Sequence, residues 1–365
     1  MAKLLHFADL HIKRDEKDYC YSVLEDIVAA AKERDAKFIA VSGDLFDSYA
    51  DFEALRREVA ERFAPLVRNG CHVLYIPGNH EARGASADLS AFNLDPVRFC
   101  ARGPFDFFEL EGVEFLCVPH AESYDGYRDW KVPRKQNGAT RVALVHALNS
   151  TIYTGPDEEA DSKTGVIEDD FFRRFEIDYA AMGHVHSGRQ QLLGGAVVCY
   201  PGSARVWRAH PREAGPRNAV AADLSCLPVV AHNVELKSAG QYREYELPVD
   251  LKGAAPLPAV HRVEDALGGR DHVRVKLTGV VEDENAAREA ADALRQRLGN
   301  KARTAEVELD TIPASSLSSN SLAKAFIERM EEIKPGAEEG PDFRRWLLAR
   351  QYGLEEIAAR SGEAA

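Results

Sequence analysis

The chain has 365 residues, of which 45% are apolar, and its formal net charge is −13. At about 150 residues per domain, this length predicts two or three domains, each able to bury a core. No apolar run approaches the roughly 18 residues of a membrane helix, and the acidic balance argues against a protein that holds nucleic acid by bulk charge alone.

The amino terminus predicts a cytoplasmic protein. Residues 1–7 run directly into a predicted strand and show no signal-peptide cleavage site. The cysteines form no Cys-x-x-Cys pair, and most lie in apolar, strand-like segments. Buried, reduced thiols are the simplest interpretation, so we expect neither disulfides nor a cysteine zinc site.

The first 250 residues alternate short β-branched segments with amphipathic helical ones. Predicted strands lie at residues 4–8, 38–41 and 73–76, and predicted helices at residues 18–34 and 52–67. This alternation is typical of an α/β fold with a largely parallel sheet. Strands then dominate, at residues 113–118, 142–145, 179–182, 196–200 and 219–222, with one helix at 168–175. The pattern predicts a β-sandwich flanked by helices.

The remainder of the chain has a different composition. Residues 251–269 are rich in Pro, Gly and Ala and are predicted to be a linker. A strand, a helix and a strand follow at residues 273–277, 284–298 and 305–309, and amphipathic helices end the chain. We therefore assign one domain to residues 1–250, a small βαβ cap domain to 251–312 and a helical, partner-binding segment to 313–365.

Side chains able to bind a metal follow five of the predicted strands. They are, in chain order, Asp9, His11, Asp44, Asn79, His146, His184 and His186. In α/β sheets, ligand sites form at the carboxyl ends of strands. Carboxylates, imidazoles and an amide oxygen form a mixed set that suits Mn²⁺, Fe²⁺ or Zn²⁺ better than Ca²⁺.

A pair of metal ions would need a shared ligand. Two cations about 3.5–4 Å apart can be bridged by one carboxylate, and Asp44 is the best candidate because the preceding Gly43 allows close approach. We expect two ligand groups that share this residue: Asp9, His11, Asp44 and His186 on one metal, and Asp44, Asn79, His146 and His184 on the other.

The order of these motifs resembles the calcineurin-like metallophosphoesterases. Asp-x-His, Gly-Asp, Gly-Asn-His-Glu, a single His and Gly-His-x-His each follow a strand, over residues 4 to about 202. Each motif alone is a weak or moderate signal, whereas the ordered set is specific. The resemblance implies a four-layer α-β-β-α sandwich that hydrolyses phosphoesters with a hydroxide bridging two metals.

Within that superfamily the chain is most similar to the SbcD-type DNA repair nucleases. The similarity lies in residues 5–11, 42–47, 76–80 and 200–203, and in the βαβ cap followed by helices. Protein phosphatases of the superfamily carry Gly-Asp-x-Val-Asp-Arg-Gly, where this chain has Gly-Asp-Leu-Phe-Asp-Ser. Two departures from the nuclease pattern, Ile12-Lys13 and Glu81, lie outside the ligand positions and concern substrate geometry.

The residue after ligand Asn79 is the expected catalytic group. As imidazolium, His80 could stabilise the equatorial phosphate oxygens or protonate the leaving oxygen, the part that this histidine plays in the resembled family. Asp47 is assigned with it as a catalytic residue, through a hydrogen bond that would hold the tautomer of His80. The alternative is that Asp47 caps the helix that begins near Asp51.

The resemblance implies a Mn²⁺-dependent DNA exo/endonuclease that is the nuclease subunit of a repair complex and forms a homodimer. Two basic stretches that also contain tryptophan suit phosphate contact and base stacking, with surface solubility as the alternative. They supply the candidate DNA-binding residues Arg128, Lys131, Arg134, Lys135, Arg205 and Arg208.

The terminal helices are candidates for binding a partner protein. By resemblance, an SbcC-like coiled-coil ATPase would contact the apolar side chains of these helices. The alternative is that the same side chains pack on their own domains. They are Phe326, Met330, Trp346, Leu347, Leu348 and Tyr352. The alternative activity is a small-nucleotide phosphodiesterase or phosphatase with the same site. The cap and the terminal helices favour the nuclease, and a non-catalytic scaffold would be expected to have lost ligands.

Overall fold

The computed structural model describes residues 2–85, 88–153, 165–207, 214–336 and 341–362. The chain forms two compact units, Met1–Gln241 and Tyr242–Ala365. Within the described ranges, no helix combines the length and the apolar character that crossing a lipid bilayer requires.

The first unit contains most of the strands. Its elements in chain order are β1 (Lys3–Phe7), α1 (Lys17–Glu33), β2 (Phe38–Ser42), α2 (Tyr49–Arg68), β3 (His72–Ile76), α3 (Asn79–Ala82), β4 (Arg98–Phe99), β5 (Asp106–Leu110), β6 (Val113–Val118), β7 (Thr140–His146), α4 (Asp169–Arg174), β8 (Tyr179–Gly183), β9 (Arg189–Leu193), β10 (Ala196–Tyr200), β11 (Gly215–Pro216), β12 (Asn218–Asp223) and β13 (Val230–Glu235).

All of these strands except β11 form two six-stranded sheets. The first has the order β13-β12-β1-β2-β3-β4, and the second has the order β5-β6-β7-β8-β10-β9. Strands β1 to β4 are parallel to one another, as are β6, β7, β8 and β10. Because β2 contacts both β7 and β8, the centres of the two sheets pack face to face.

Three hydrophobic cores separate four layers. Alternate residues of each strand point to opposite faces of a sheet, and the burial follows this alternation. Leu4 and Phe38 of the first sheet pack against Phe115 and Leu144 of the second, in the core between the sheets. The outer face of the first sheet packs on α1 and α2, and that of the second packs on α4. The α-β-β-α sandwich is therefore present, as the sequence predicted.

The predicted central strands agree with the structure, and β6 and β10 agree to the residue. The sequence missed β4, β5, β9 and β13, which form the four edges of the two sheets. An edge strand is half exposed, so its hydrophobic pattern is weak; residues of β9, for example, are mostly exposed. Helix α2 begins at Tyr49 rather than at residue 52, because the hydroxyl of Ser48 accepts a hydrogen bond from the Asp51 N–H and caps it.

The second unit is larger than a βαβ motif. Its elements are β14 (Gln241–Pro248), α5 (Leu257–Ala266), β15 (His272–Val281), α6 (Glu284–Gly299), β16 (Thr304–Pro313), α7 (Ser321–Glu332) and α8 (Pro341–Gly362). Strands β14, β15 and β16 pair in parallel, so the motif is βαβαβ. The predicted linker at residues 251–269 was wrong in its centre, where α5 buries Ala259, Val260 and Val263.

The predicted boundaries of the domains differ from those of the units. Strand β14 lies before residue 250 but pairs with β15, and the first unit ends at Gln241. The terminal helices also share a core with the sheet of their unit, because Leu354 of α8 and Ala323 of α7 pack with Val280 of β15. Residues 251–312 and 313–365 therefore lie in one compact unit.

A buried ion pair between β6 and β7 gives the first prediction. Arg141 and Glu114 are each about 1% exposed, and the guanidinium also donates to the carbonyl oxygens of Phe175 and Pro133. Removing one member leaves an uncompensated buried charge, which costs about 3–5 kcal/mol. We expect Arg141→Met to lower the free energy of unfolding in urea by that amount.

The control is Arg345→Met, which removes one member of an exposed pair with Asp342. Surface pairs contribute little, so the unfolding midpoint should not change. If the two variants were equally stable, the buried pair would not have the structural importance assigned to it here.

Candidate metal centre

The predicted ligands converge at the carboxyl ends of β1, β2, β3, β7 and β8. Asp9 and His11 follow β1, Asp44 follows β2, and Asn79 follows β3. His146 is the last residue of β7, and the remaining ligands, His184 and His186, follow β8. All of these side chains are buried. The packing of β2 on β7 and β8 brings the ligands of the two sheets together.

Two groups of ligand atoms result. Those of Asp9, His11 and His186 lie within 4.8 Å of one another, as do those of Asp44, His146 and His184. In the first group, Nε2 of His11 is 3.2 Å from Nε2 of His186. The grouping is the one expected from the sequence, whereas the sharing of Asp44 between the groups stays a prediction.

Asn79 belongs to the second group. Its Oδ1 lies 2.9 Å from Nε2 of His146 and 3.1 Å from Nδ1 of His184. An amide oxygen at this position could bind a metal together with the two imidazoles.

The chemistry of the site fits divalent cations. Among the described residues, Oδ2 of Asp44 is a buried atom without a hydrogen-bond partner of regular geometry, although it lies 3.3 Å from Nε2 of His146. Buried polar atoms are nearly always paired, and a carboxylate oxygen among imidazole nitrogens is a set that binds Mn²⁺, Fe²⁺ or Zn²⁺. These residues could therefore hold two metal ions.

The charges at the site are strongly coupled. Burial raises the pKa of Asp9 to about 7, although His146 and His186 act against it. Burial also favours the neutral form of Asp44, but His146, His80 and His11 outweigh it and hold the pKa of Asp44 well below its usual range. In turn, Asp44 overcomes the effect of burial and raises the pKa of His146 to about 9. Because a ligating imidazole must be deprotonated, a metal ion would displace that proton.

The loops at the site have unusual backbone conformations. Asp9, His11, Asp44 and His184 all have positive φ, at 54°, 47°, 47° and 91°. Residues other than glycine rarely adopt this region, and such strain is concentrated at functional sites. Left-handed backbone at four of the candidate ligands therefore marks these loops as shaped for the site.

Two glycines allow the loops to approach the ligands. A Cβ on Gly43 would lie 2.1 Å from Nδ1 of His146, and a Cβ on Gly78 would lie 2.1 Å from Oδ1 of Asp44. No side chain fits at these distances, so any other residue would push the loops and their ligands apart.

The predicted relation between Asp47 and His80 is present, but through the backbone. Nδ1 of His80 lies 2.7 Å from the carbonyl oxygen of Asp47. Since a carbonyl only accepts, Nδ1 carries the proton. The Asp47 carboxylate instead accepts from the indole N–H of Trp207 at 2.6 Å. The alternative role of Asp47 as a helix cap was wrong, since Ser48 caps α2.

Glu81 organises the site, a role that was not predicted from the sequence. It is buried and accepts from the N–H groups of Phe46 and Gly78, each at 2.8 Å, and from the hydroxyl of Tyr75 at 2.7 Å. It thereby ties the loop after β2 to the loop after β3. Burial, together with Asp44, raises the pKa of Glu81 to about 7. The spacing Gly-x-x-Glu at a helix start, which resembles a capping box, was the signal available.

Trp207, which belongs to one of the basic stretches of the sequence, lies in the site. Its ring stacks on that of His11, with centroids 4.0 Å apart and planes at 9°. The rings of His80 and His186 meet it edge-on, at centroid distances of 5.3 and 4.9 Å.

Arg205 was predicted to contact DNA, but its side chain is buried. The guanidinium donates to the carbonyl oxygens of Leu10 and His11 at 2.8 and 2.9 Å and to Glu16 at 2.7 Å. Its function is to hold the loop after β1, not to present charge at the surface. Arg208 lies outside the described residues.

The other basic stretch lies away from the ligands. Nζ of Lys135 is 2.5 Å from Asp178, which precedes β8, and Arg141 at the start of β7 donates to the carbonyl oxygen of Pro133. These contacts are at the amino ends of the strands, opposite the candidate ligands. Arg128 pairs with Asp170, while the two remaining residues, Lys131 and Arg134, are exposed.

The chain is similar in sequence to known proteins. A family model described as calcineurin-like phosphoesterase matches residues 2–188, about half of the chain. The DNA double-strand break repair protein Mre11 of Archaeoglobus fulgidus is 24% identical over 245 residues, covering 58% of this chain and 52% of that protein. The match thus spans about half the length of this curated relative.

Solved structures are also similar. Purple acid phosphatase PPD1 from yellow lupin (Lupinus luteus) seeds has a TM-score of 0.45 and 12% identity, covering 66% of this chain and 52% of its own. The protein TT1561 of Thermus thermophilus has a TM-score of 0.38 and 15% identity, covering 64% and 98%. Scores this low say nothing about the activity of this chain.

The second prediction concerns the carboxylate that ties the two loops. Glu81→Gln places an amide N–H₂ against a backbone N–H that previously donated to an oxygen. The unsatisfied buried groups should cost about 1–3 kcal/mol, measured as a lower free energy of unfolding in urea. The matched control is Glu111→Gln, at a half-exposed carboxylate beside His72. Equal stability of the two variants would contradict the role given to Glu81.

Proposed function

This chain belongs to the calcineurin-like phosphoesterase family and is a metal-dependent hydrolase, and from that premise we propose that it is a Mn²⁺-dependent DNA exo/endonuclease. The observation that carries the proposal is the convergence of two buried ligand groups beside His80. The similarity to the archaeal Mre11 protein and the resemblance to SbcD-type nucleases support DNA as the substrate and a DNA repair complex as the setting.

We assign the proposed ligands to two metal ions according to the two groups of ligand atoms. Asp9, His11 and His186 would hold one ion, Asn79, His146 and His184 would hold the other, and Asp44 would contact both. When bound, two such ions activate water at neutral pH and offset the charge of the phosphate oxygens. The left-handed loops and the glycines fix the donor atoms before any substrate arrives.

His80 is the proposed catalytic residue, and two contacts hold it. Its backbone N–H donates to Oδ1 of Asp44 at 2.9 Å, and Nδ1 donates to the carbonyl oxygen of Asp47 at 2.7 Å. The second contact fixes Nδ1 as a nitrogen that carries a proton, since the carbonyl only accepts. Nε2 is then the atom that can donate a hydrogen bond to a phosphate oxygen or a proton to the leaving oxygen.

A small-nucleotide phosphodiesterase or phosphatase is the second candidate, and one observation favours it. Arg205 is buried, and the stretch from Arg128 to Lys135 contacts the opposite ends of the strands. Neither supplies a basic path at the candidate ligands within the described residues. A nuclease would have to bind its duplex through other groups or together with a partner subunit.

An SbcC-like ATPase is the proposed partner. Of the predicted contact residues on the terminal helices, some are buried and others are exposed. Phe326, Met330, Trp346 and Leu347 pack within their own unit. Leu348 and Tyr352 of α8 are 51% and 64% exposed, as is Leu322 of α7 at 61%. We place the partner surface on the exposed side chains, and the homodimer remains part of the proposal without a surface assigned to it.

The third prediction tests His80. Proton transfer by a positioned side chain contributes about 10²–10⁴-fold, so His80→Ala should lower kcat by that factor on a linear duplex, a hairpin and bis-p-nitrophenyl phosphate. Mn²⁺ binding should persist, since His80 is not a proposed ligand. The matched control is His72→Ala, at a surface histidine paired with Glu111.

The outcomes separate the two candidate functions. Cleavage of DNA by the wild type, lost in the His80 variant, supports the nuclease. Hydrolysis of the small diester alone supports the second candidate or a nuclease that needs its ATPase. A His80 variant as active as the wild type would remove His80 from the reaction.

The fourth prediction concerns the metals. Chelation should abolish hydrolysis by the wild type, and added Mn²⁺ should restore it. Added Mn²⁺ should restore little hydrolysis in the His146→Ala variant, because one ligand group is broken. Calorimetric titration of Mn²⁺ into the chelated protein should show two binding events in the wild type and a weakened one in the variant. Hydrolysis that survives complete chelation would contradict the metal-dependent mechanism.

A further inference from the structure

We propose that Trp207 is a positioning residue: its indole fixes Asp47 between the candidate ligand His11 and the catalytic residue His80. The inference rests on the proposed function, because it takes the roles of His11 and His80 from it. It concerns a residue that lies after the matched family region, residues 2–188.

One rigid side chain makes both contacts. The indole N–H donates to Oδ1 of Asp47 at 2.6 Å, while the ring lies parallel to that of His11 at 4.0 Å. A hydrogen bond from an N–H to a carboxylate is among the stronger ones. Stacking of the indole on the imidazole limits rotation of the imidazole about its Cβ–Cγ bond. Trp207 therefore restrains a candidate ligand and its neighbouring carboxylate at the same time.

Asp47 connects these contacts to catalysis. Its carbonyl oxygen accepts from Nδ1 of His80, and its carboxylate oxygen lies 3.6 Å from Nδ1 of His11. Nε2 of His11 faces Nε2 of His186, so Nδ1 is the nitrogen left for a second partner. Metal-binding histidines commonly donate that other N–H to a carboxylate, which fixes the ring and its tautomer. Asp47 is in place for this role, and Trp207 holds it there.

The same geometry argues against a base-stacking platform. One face of the indole is already covered by His11, and the rings of His80 and His186 meet it edge-on. A platform for nucleic-acid bases offers an open aromatic face. The face of Trp207 that lies on His11 is therefore closed to a base, and the partly exposed ring borders two further imidazoles.

The experiment compares two variants with a matched control. Trp207→Ala removes the stack and the N–H, and Trp207→Phe keeps a ring on His11 but removes the N–H. The control is Trp130→Phe, whose tryptophan packs on Phe171 of α4 and on Phe175. Circular dichroism and thermal melts establish that each is folded. Mn²⁺ titration by calorimetry and steady-state kinetics on bis-p-nitrophenyl phosphate and duplex DNA are the readouts.

We expect Trp207→Ala to weaken one of the two Mn²⁺ binding events and to lower kcat on the small diester, each by about 10–100-fold. KM should change little, because the indole is not a substrate contact. Trp207→Phe should lie between the wild type and the alanine variant, and Trp130→Phe should match the wild type.

Several results would overturn the proposal. Unchanged Mn²⁺ affinity and kcat in both folded variants would do so, and so would a rise in KM confined to DNA, which would make Trp207 a stacking platform. If the alanine variant does not fold, the phenylalanine variant decides by the same criteria. A wild type that cuts no DNA removes the nuclease assignment alone, since Mn²⁺ binding and the small diester still test Trp207. A wild type that binds no Mn²⁺ overturns both.

Discussion

The close packing of the loop after β2 against its neighbours is the constraint on which the site depends. The ring of His146 lies so close to Gly43 that a Cβ there would clash with it, and the carboxylate of Asp44 lies equally close to Gly78. Glu81 then closes the arrangement by accepting from the loops after both β2 and β3. The approach of Gly43 to His146 joins the two sheets, while the contacts of Gly78 and Glu81 join the loops after β2 and β3 within the first sheet.

Around that packing, the site is built in two shells. Buried carboxylates and imidazoles set one another's charge: the imidazoles hold the pKa of Asp44 low, and Asp44 raises the pKa of His146. Outside them, Arg205 fixes the loop after β1 through its carbonyl oxygens, and Trp207 covers His11. Arg205 and Trp207, which look like a surface cation and a surface aromatic in the sequence, therefore serve the interior of the site.

Much of the fold was predictable, because the central strands are buried on both faces and read as continuous apolar segments. The edge strands were missed because half of each faces solvent, and α5 was hidden by the Pro, Gly and Ala around it. In the site, the positions of the candidate ligands followed from the ends of the strands. The backbone contact of Asp47 with His80 and the burial of Arg205 did not, since neither depends on residue type or spacing.

By itself, the sequence determined which elements form and which chemical groups stand at their ends, because hydrophobic periodicity and turn residues act locally along the chain. It thereby determined the family and the candidate ligand set. Only the tertiary structure decided how these groups use their atoms: that Asp47 offers its carbonyl oxygen to His80 and its carboxylate to Trp207, and that the basic stretch from Arg128 lies at the far end of the strands. Such contacts join residues distant in the chain, and they are set by packing geometry rather than by local pattern.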